Sequence, residues 1–474
     1  MQRFVCFMFL VVTLASFSTL KLGVPLIFKF TPELLSIVVL LYVLIAGTRR
    51  RFNLVAPKYW ITFGALALII VCGIATNGVD SGPLLMDLRL YLRAIPLFFL
   101  PAVFDFQETQ IMQQLQLLMY LCLLQLPIAV YQRWVILSHM RFTGDDVRGT
   151  LLQSGILSVF LICATLIAAA QFLRGYISKL WFVPLVLLLL IPTMINETKV
   201  SIFYVPLGLL IVFLIGVEPG RRIQIVAWAA ALLVGFGALY VPIYNRMNMY
   251  APGKEDTDIA GFLTDKKQMS RYLSKDVAGL GTKKDIRRGD AIKVPLQFLA
   301  KDPIHLALGL GVGSIAPSNM GPAFEGRYRP LFHGFLITSF TDFVIEIGIL
   351  GIGVVLVLYW LIFRDALYVA RNDKSRIGAV ALGWTGVVVL MALSLVYTVA
   401  HEFDSLSYLY WYFSGLVAAR RVRLEMHSRL NAQDTLHTAS ASASMTAATL
   451  RTQQRAVSTS AARITTNVRT HEPG

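Results

Sequence analysis

The chain has 474 residues, of which 56% are hydrophobic and only 15% are charged, whereas soluble domains are about 45–50% apolar and about 25% charged. Because apolar residues are spread through nearly the whole chain, this composition excludes a disordered protein and a cytosolic enzyme. The net charge of +16 does not indicate nucleic-acid binding, since the basic residues are scattered between apolar runs, and a polytopic all-α membrane protein is predicted.

Transmembrane helices are predicted wherever about 20 mostly apolar residues follow one another, which is enough to cross a hydrocarbon core about 30 Å thick. The first span resembles a signal peptide, but no small-residue cleavage site precedes Lys21, so it is predicted to be retained. The criterion gives about twelve spans, at 4–20, 31–47, 60–76, 89–104, 113–137, 152–172, 181–195, 201–217, 223–243, 338–362, 377–397 and 406–419.

Basic residues near the span ends set the predicted orientation, because cytosolic loops of membrane proteins are enriched in Lys and Arg. With about twelve spans, the basic loops all fall on one side, so both termini are predicted to be cytosolic. These loops contain Arg49, Arg50, Arg51, Lys58, Arg174, Lys179, Arg221, Arg222, Arg364, Arg371, Lys374, Arg376, Arg420, Arg421 and Arg423.

Four regions follow from this topology. Residues 1–243 contain helices 1–9, and residues 333–420 contain helices 10–12. Between them, the polar segment 244–332 is predicted to form a small extracytoplasmic loop domain. Residues 421–474 are rich in Ser, Thr, Ala, Gln and Arg, and a segment of that composition cannot bury enough apolar surface to fold. They are predicted to be a disordered cytosolic tail.

Two acidic residues lie within the tenth predicted span. Asp342 and Glu346 are four residues apart and therefore share one face of a helix. Ionisable groups at membrane depth are energetically costly and usually functional. The pair is consistent with a proton relay, or with an ion pair to a neighbouring arginine that holds two helices together.

Basic residues and one histidine are predicted to lie on the extracytoplasmic face. His333, where the long loop enters the tenth helix, has the pKa range of a general base or is a hydrogen-bonded structural residue. Guanidinium groups suit pyrophosphate because they form paired, charge-assisted hydrogen bonds, although each could instead contact lipid headgroups. The candidates for pyrophosphate binding are Arg89, Arg93, Arg148, Lys199, Arg287 and Arg288.

Three other motifs carry no predicted chemistry. The four cysteines lie singly in apolar runs and are read as small buried hydrophobes. The glycine-rich stretch Gly309–Ser314 lacks the strand and helix of a nucleotide-binding loop and is predicted to be a tight turn. No His, Cys or Asp residues have metal-ligand spacing, so neither a metal nor another cofactor is predicted.

Four segments, in order, resemble the O-antigen polymerase and O-antigen ligase superfamily. Two departures are Gly334, where the family has Asn, and Lys199 preceded by Glu197 and Thr198, where it has Ser-Arg. The resemblance covers roughly residues 1–420, and the segments that carry it are RFTGDDVRGTLLQSGILS, NETKVSIFYVPLGLLIVF, RRGDAIKVPLQFLAKDPIHLALGLGVGS and FHGFLITSFTDFVIEIGILGIG.

The resemblance implies a metal-independent glycosyltransferase of the GT-C type in the bacterial inner membrane. Its donor would be a glycan on undecaprenyl pyrophosphate, and its acceptor a sugar hydroxyl. His333 would then act as general base or orient the acceptor, and Arg288 would stabilise the departing pyrophosphate. Arg148, Arg287, Lys199, Arg93 and Arg89 would assist Arg288. Expected partners are the lipid-linked glycan, the bilayer, a chain-length regulator and other polysaccharide export proteins.

Four functions remain open from the sequence, the last of them a non-catalytic scaffold of a secretion complex. The leading one is polymerisation of an exopolysaccharide or O-antigen repeat unit. The second is an O-antigen ligase that transfers the glycan to the lipid A core, and the third is a transporter or flippase of lipid-linked sugars that uses Asp342 and Glu346. The absence of a recognisable internal repeat is weak evidence against a carrier.

Overall fold

A computed structural model of the chain describes residues 1–137, 144–196, 198–217, 220, 222–248, 288–318, 321–332 and 338–433. Within these residues the secondary structure is helical, with no strand. Residues 404–433 are also helical, and 404–421 are named α15 here. The other helices are α1 Gln2–Lys21, α2 Thr31–Ala46, α3 Pro57–Asn77, α4 Ser81–Leu92, α5 Ile95–Val103, α6 Glu108–Tyr131, α7 Ser154–Leu173, α8 Lys179–Ile195, α9 Ser201–Gly216, α10 Arg222–Asn248, α11 Arg288–Leu299, α12 Pro303–Leu308, α13 Ser339–Asn372 and α14 Arg376–Ser394.

Seven helical segments of the described residues are long and apolar enough to cross a membrane. Two further apolar helices, α8 and α9, are shorter. The predicted all-helical, membrane-embedded character is thereby confirmed, and the number of twelve spans stays a prediction. The seven segments are Gln2–Thr19, Ile27–Arg49, Pro57–Asn77, Glu108–Ile136, Ser154–Leu173, Ser339–Asn372 and Arg376–Ser394.

The helices differ in how much of their surface is buried. In the most apolar part of α7, 72% of the residues are buried inside the protein, and in that of α14, 83% are buried. These two helices therefore form the centre of the bundle. In contrast, α2 exposes large apolar residues three or four positions apart, including Leu34, Ile37, Leu41 and Ile45. A contiguous apolar face of this kind is stable against lipid and would be unfavourable in water.

The chain divides into two compact units, Met1–Arg421 and Val422–Gly474. The described part of segment 244–332 lies within the first unit, where α11 and α12 pack against α13. The described part of this segment thus packs with the neighbouring helices, and the predicted extracytoplasmic loop domain stays a prediction. Its α12 also contacts α3. Apolar residues such as Leu299, Leu310 and Phe332, which are almost fully buried, account for this association because they gain free energy by leaving solvent.

In the second unit, residues 422–433 are helical, where the composition predicts a disordered tail from residue 421 onward. The rest of the predicted tail, residues 434–474, lies outside the described residues.

A buried ionic cluster ties together three helices near the C-terminal end of α13. The Asp365 side chain is 1% exposed and pairs with both Lys58 of α3 and Arg421 of α15. The hydroxyl of Tyr59 donates a third hydrogen bond to Asp365, at 2.6 Å. Because a buried carboxylate is stable only when paired, this cluster depends on all of its members.

Helix α13 is broken at Gly348, whose φ of +65° and ψ of −171° are not helical. Just before the break, the amides of Leu310 and Gly311 donate hydrogen bonds to the carbonyl groups of Ile345 and Glu346, at 2.6 and 3.0 Å. The predicted tight turn Gly309–Ser314 therefore caps the interrupted helix and fixes the position of the Glu346 backbone.

Replacing Gly348 by alanine is expected to lower stability by about 1–3 kcal/mol, the cost of a residue held in a sparsely populated conformation. A Cβ at this position would also overlap the carbonyl oxygen of Ala307. The control is Gly353→Ala in the same helix, where no heavy atom lies within 4 Å of the added Cβ. Thermal unfolding of both variants in detergent measures the difference in their stability. Equal midpoint temperatures of unfolding would contradict the proposed break.

Candidate functional site

A cavity of about 280 Å³ lies where the start of α13 meets α4 and the turn Ala400–Glu402. Asp342 and Glu346 of α13 line it together with Arg329, which begins a short 3₁₀ turn ahead of this helix. The wall is completed by Asp87, Leu90, Tyr91, Gln153, Ile315, Pro317, Val399, His401 and Glu402. Four carboxyl groups, one imidazole and one guanidinium thus line a single cavity.

The four carboxyl groups form two pairs within hydrogen-bonding contact. Asp87 pairs with Glu346, and Asp342 pairs with Glu402. Two carboxylates at this separation repel each other, so each pair is stable when it shares a proton. Glu346 is also held by the hydroxyl of Tyr91, which donates to Oε2 at 2.9 Å, and by the amide of Gly313, which donates to Oε1 at 2.9 Å.

Burial raises the pKa of Asp87 and of Glu402 above its ordinary value. The positive charge of Arg329 acts in the opposite direction on both groups. Because removal from water disfavours a charged carboxylate, these groups hold protons more tightly than exposed carboxyl groups do.

His401 is held in the wall of the cavity by a hydrogen bond. Its Nδ1 lies 2.8 Å from Oγ of Ser339, and that hydroxyl donates to the carbonyl of Thr398 at 3.1 Å. The other ring nitrogen, Nε2, lies 3.9 Å from Oδ2 of Asp342. Burial lowers the pKa of His401 to about 3, and the nearby charge of Arg93 acts in the same direction. The imidazole is therefore neutral at physiological pH.

Asp342 and Glu346 share one site, as their spacing predicts. Their closest described partners are acidic groups, the Tyr91 hydroxyl, the Gly313 amide and His401. Within the described residues neither carboxyl group forms an ion pair with an arginine, although Arg329 lines the same cavity, and the helix-locking interpretation stays a prediction. The arrangement favours a role in proton transfer or ligand binding.

Arg89 and Arg93 lie close together but face carboxylates. Both approach Glu33, at 3.3 and 3.2 Å, and Arg93 also reaches Asp404 at 2.8 Å. Arg93 further donates to the backbone carbonyl of Glu402. Of the two side chains, Arg93 is 8% exposed and Arg89 is 33% exposed. Carboxylates of the protein itself thus largely neutralise the charges of Arg89 and Arg93. Arg93 also positions the turn that carries His401 and Glu402.

Replacing Arg93 by alanine is expected to lower the free energy of unfolding by about 2–3 kcal/mol, because it leaves buried acceptors without their charged donor. Arg89→Ala is the matched control and should cost under about 1 kcal/mol, since its single ion pair is more exposed. Thermal unfolding in detergent distinguishes them. Full stability of Arg93→Ala combined with loss of activity would instead support the predicted role in pyrophosphate binding.

Arg148 lies in a segment organised by two glutamines of the sixth helix and its extension. Gln132 accepts hydrogen bonds from the amides of Arg148 and Gly149, at 3.0 and 2.8 Å, and Gln125 accepts one from the amide of Thr150 at 2.8 Å. The Arg148 guanidinium is half exposed and pairs with Asp146 at 2.7 Å. It lines a second cavity, of about 410 Å³, which shares no lining residue with the acidic one.

The remaining predicted residues are placed only in part. Lys199 is partly buried just ahead of α9, which begins at Ser201. Arg288 is the first residue of α11. Arg287 and His333 lie outside the described residues, so their predicted roles stay predictions.

Sequence reasoning missed Asp87, Tyr91, Arg329, His401 and Glu402 as site residues. A usable signal existed in the segment VAHEFDS, where three ionisable residues interrupt apolar sequence between two predicted spans. Asp87 gave a similar signal, because it lies within an apolar stretch two residues before Arg89. Intramembrane and interfacial charges of this kind are usually functional.

Compared with protein-family models and with curated protein sequences, the chain matches none of them.

Proposed function

We propose that this protein is a membrane glycosyltransferase that polymerises lipid-linked oligosaccharide repeat units. In this reaction the glycan leaves undecaprenyl pyrophosphate and is joined to a sugar hydroxyl of the next repeat unit. The reaction would take place at the extracytoplasmic face of the bacterial inner membrane, with both termini cytosolic. The C55 carrier would stay in the bilayer while only its polar head enters the site.

The observation that carries this proposal is the convergence of three polar segments at the start of α13. Helix α11 begins with Arg288, and three residues later the carbonyl of Ala291 accepts a hydrogen bond from Oγ of Thr341 at 3.2 Å. Thr341 directly precedes Asp342. Asp342 and Arg329 both line the cavity of about 280 Å³ described above, the acidic cavity. Acidic groups and arginine-bearing segments therefore lie near one another, which supports a site for transfer from a pyrophosphate donor.

Each kind of group has a chemical task in such a transfer. A carboxylate of the cavity can accept the proton of the attacking hydroxyl, a contribution of about 10²–10⁴-fold for a positioned base. Arg329, with Arg288, can pair with the pyrophosphate as negative charge develops on departure. His333, four residues after Arg329 in the sequence, is the predicted base or acceptor-orienting residue.

Analysis of undecaprenyl-linked intermediates in a strain lacking the gene tests the proposal. Single repeat units should accumulate on the carrier and should persist when the strain carries His333→Ala or Arg288→Ala. Normal polymer from both variants, with the proteins present in the membrane, would contradict the mechanism. Finished polymer that is not attached to lipid A core would instead identify a ligase.

A second candidate is a proton-coupled flippase of lipid-linked sugars. The paired carboxyl groups of the acidic cavity favour it, because shared protons at membrane depth are typical of proton relays. It predicts that repeat units remain on the inner leaflet in the strain lacking the gene, and that Asp342→Asn abolishes dependence on the proton gradient. Repeat units that reach the outer leaflet normally would exclude this function.

A further inference from the structure

We propose that Asp342, His401 and Glu402 form a binding site for one divalent metal ion of the Mn²⁺ and Zn²⁺ class. The inference concerns these three side chains and is independent of the glycosyl transfer proposed above. It differs from the expectation drawn from sequence spacing, because Asp342 and His401 are brought together only by the packing of α13 against the turn that follows α14.

The positions of the ligand atoms fit a single ion. One oxygen from each carboxyl group and one ring nitrogen of His401 all lie within 4.8 Å of one another. Ligand atoms that are each bound about 2.0–2.2 Å from one ion lie roughly 3–4.4 Å apart. Small side-chain rotations would bring the three atoms to binding distance.

The hydrogen bonds of His401 leave its free nitrogen as an acceptor. The Ser339 hydroxyl donates its proton to the carbonyl of Thr398, so its oxygen accepts from Nδ1–H of His401. Nε2 therefore carries the lone pair of the neutral ring and faces Asp342. A histidine whose second nitrogen donates to an oxygen is the usual arrangement of a metal ligand, because the outer bond fixes the tautomer and the ring orientation.

An oxygen atom without a hydrogen-bond partner faces the lone pair on Nε2 of His401. Oδ2 of Asp342 is buried without any hydrogen-bond partner, on a side chain only 10% exposed. It lies 3.9 Å from Nε2, so the two atoms face each other beyond hydrogen-bonding distance. A buried acceptor without a partner is costly, and a cation between the two atoms would satisfy both.

The ligand types indicate the class of ion. One imidazole and two carboxylates suit Mn²⁺ or Zn²⁺, whereas Cu⁺ and iron–sulfur clusters require sulfur ligands. Three protein ligands leave positions open, and these would face the cavity, where water or an anionic group can bind.

Binding of Mn²⁺ to the purified full-length protein tests the site. After removal of metals with a chelator, titration followed by electron paramagnetic resonance should show one Mn²⁺ bound per chain. Asp342→Asn and His401→Gln should each weaken binding by about 100-fold, and Ser339→Ala by about 10-fold through the orientation of His401. Competition by Zn²⁺ with the same dependence on these residues would also support the site.

A second histidine–aspartate pair provides the controls. Nδ1 of His305 lies 3.2 Å from Oδ2 of Asp302 on more exposed side chains, so His305→Gln and Asp302→Asn should leave binding unchanged. Thermal unfolding in detergent verifies that each variant is folded. The proposal is overturned if the unmodified protein binds Mn²⁺ and Zn²⁺ no more tightly than folded His401→Gln does. Equal losses of Mn²⁺ affinity in the control variants and in the site variants would also overturn the proposal.

Discussion

Replacing Asp365 by alanine is expected to lower the free energy of unfolding by about 3–5 kcal/mol, the usual cost of removing one member of a buried ionic cluster. The change would leave Lys58 and Arg421 without the carboxylate that both of them contact, and it would remove the acceptor of the Tyr59 hydroxyl. Because these residues belong to three different helices, loss of Asp365 should loosen their packing. Thermal unfolding of the detergent-purified variant measures the effect.

The control for Asp365→Ala is Asp80→Ala. Asp80 is exposed just before α4 and makes no side-chain capping bond, so its replacement should change stability by less than about 0.5 kcal/mol. Asp365→Asn keeps the shape but removes the charge, and we expect an intermediate loss. If Asp365→Ala unfolds at the same temperature as the unmodified protein, the cluster does not hold the three helices together.

The second large effect is expected on activity. Arg329→Ala should reduce polymer formation by about 10²–10³-fold, the range found when a pre-positioned electrostatic group is removed from an active site. Arg329 lines the acidic cavity, and its positive charge acts on Asp87, Asp342 and Glu402. The measurement is the amount and length of polymer in a strain that lacks the native gene and carries the variant.

Arg327→Ala is the matched control for Arg329→Ala. Arg327 is two residues away but exposed, and its guanidinium lies 5.7 Å from the centre of the Tyr328 ring. Polymer formation should therefore be nearly unchanged in Arg327→Ala. If both variants reduce polymer equally while both proteins are present in the membrane, the effect reflects the general charge of the segment and not the cavity.

The helices were predictable because their signal is local. Runs of about 20 apolar residues identify α3, α6 and α7 directly, and the observed helices lie where those spans are predicted. The ends of the helices and the breaks within them were harder to predict from the sequence. The break at Gly348 depends on donors from Leu310 and Gly311, and no periodicity within α13 reveals a partner from a different segment.

The candidate site was predictable only in part. Asp342 and Glu346 stood out because charges are rare in apolar helices. Their partners come from α4 and from the turn after α14, so the sequence could not show that other carboxyl groups lie beside them. Arg93 shows the opposite case, since its charge suggested an anionic ligand, whereas Glu33 and Asp404 of the same chain already pair with it.

A reaction with purified components tests most directly the proposed transfer of glycan from a pyrophosphate carrier. The full-length protein would be placed in lipid vesicles with a defined lipid-linked repeat unit, and the products would be separated by length. We expect longer glycans on the carrier, release of free undecaprenyl pyrophosphate, and loss of both in Arg329→Ala but not in Arg327→Ala. Repeat units that stay unchanged in length in the presence of folded protein would contradict the claim.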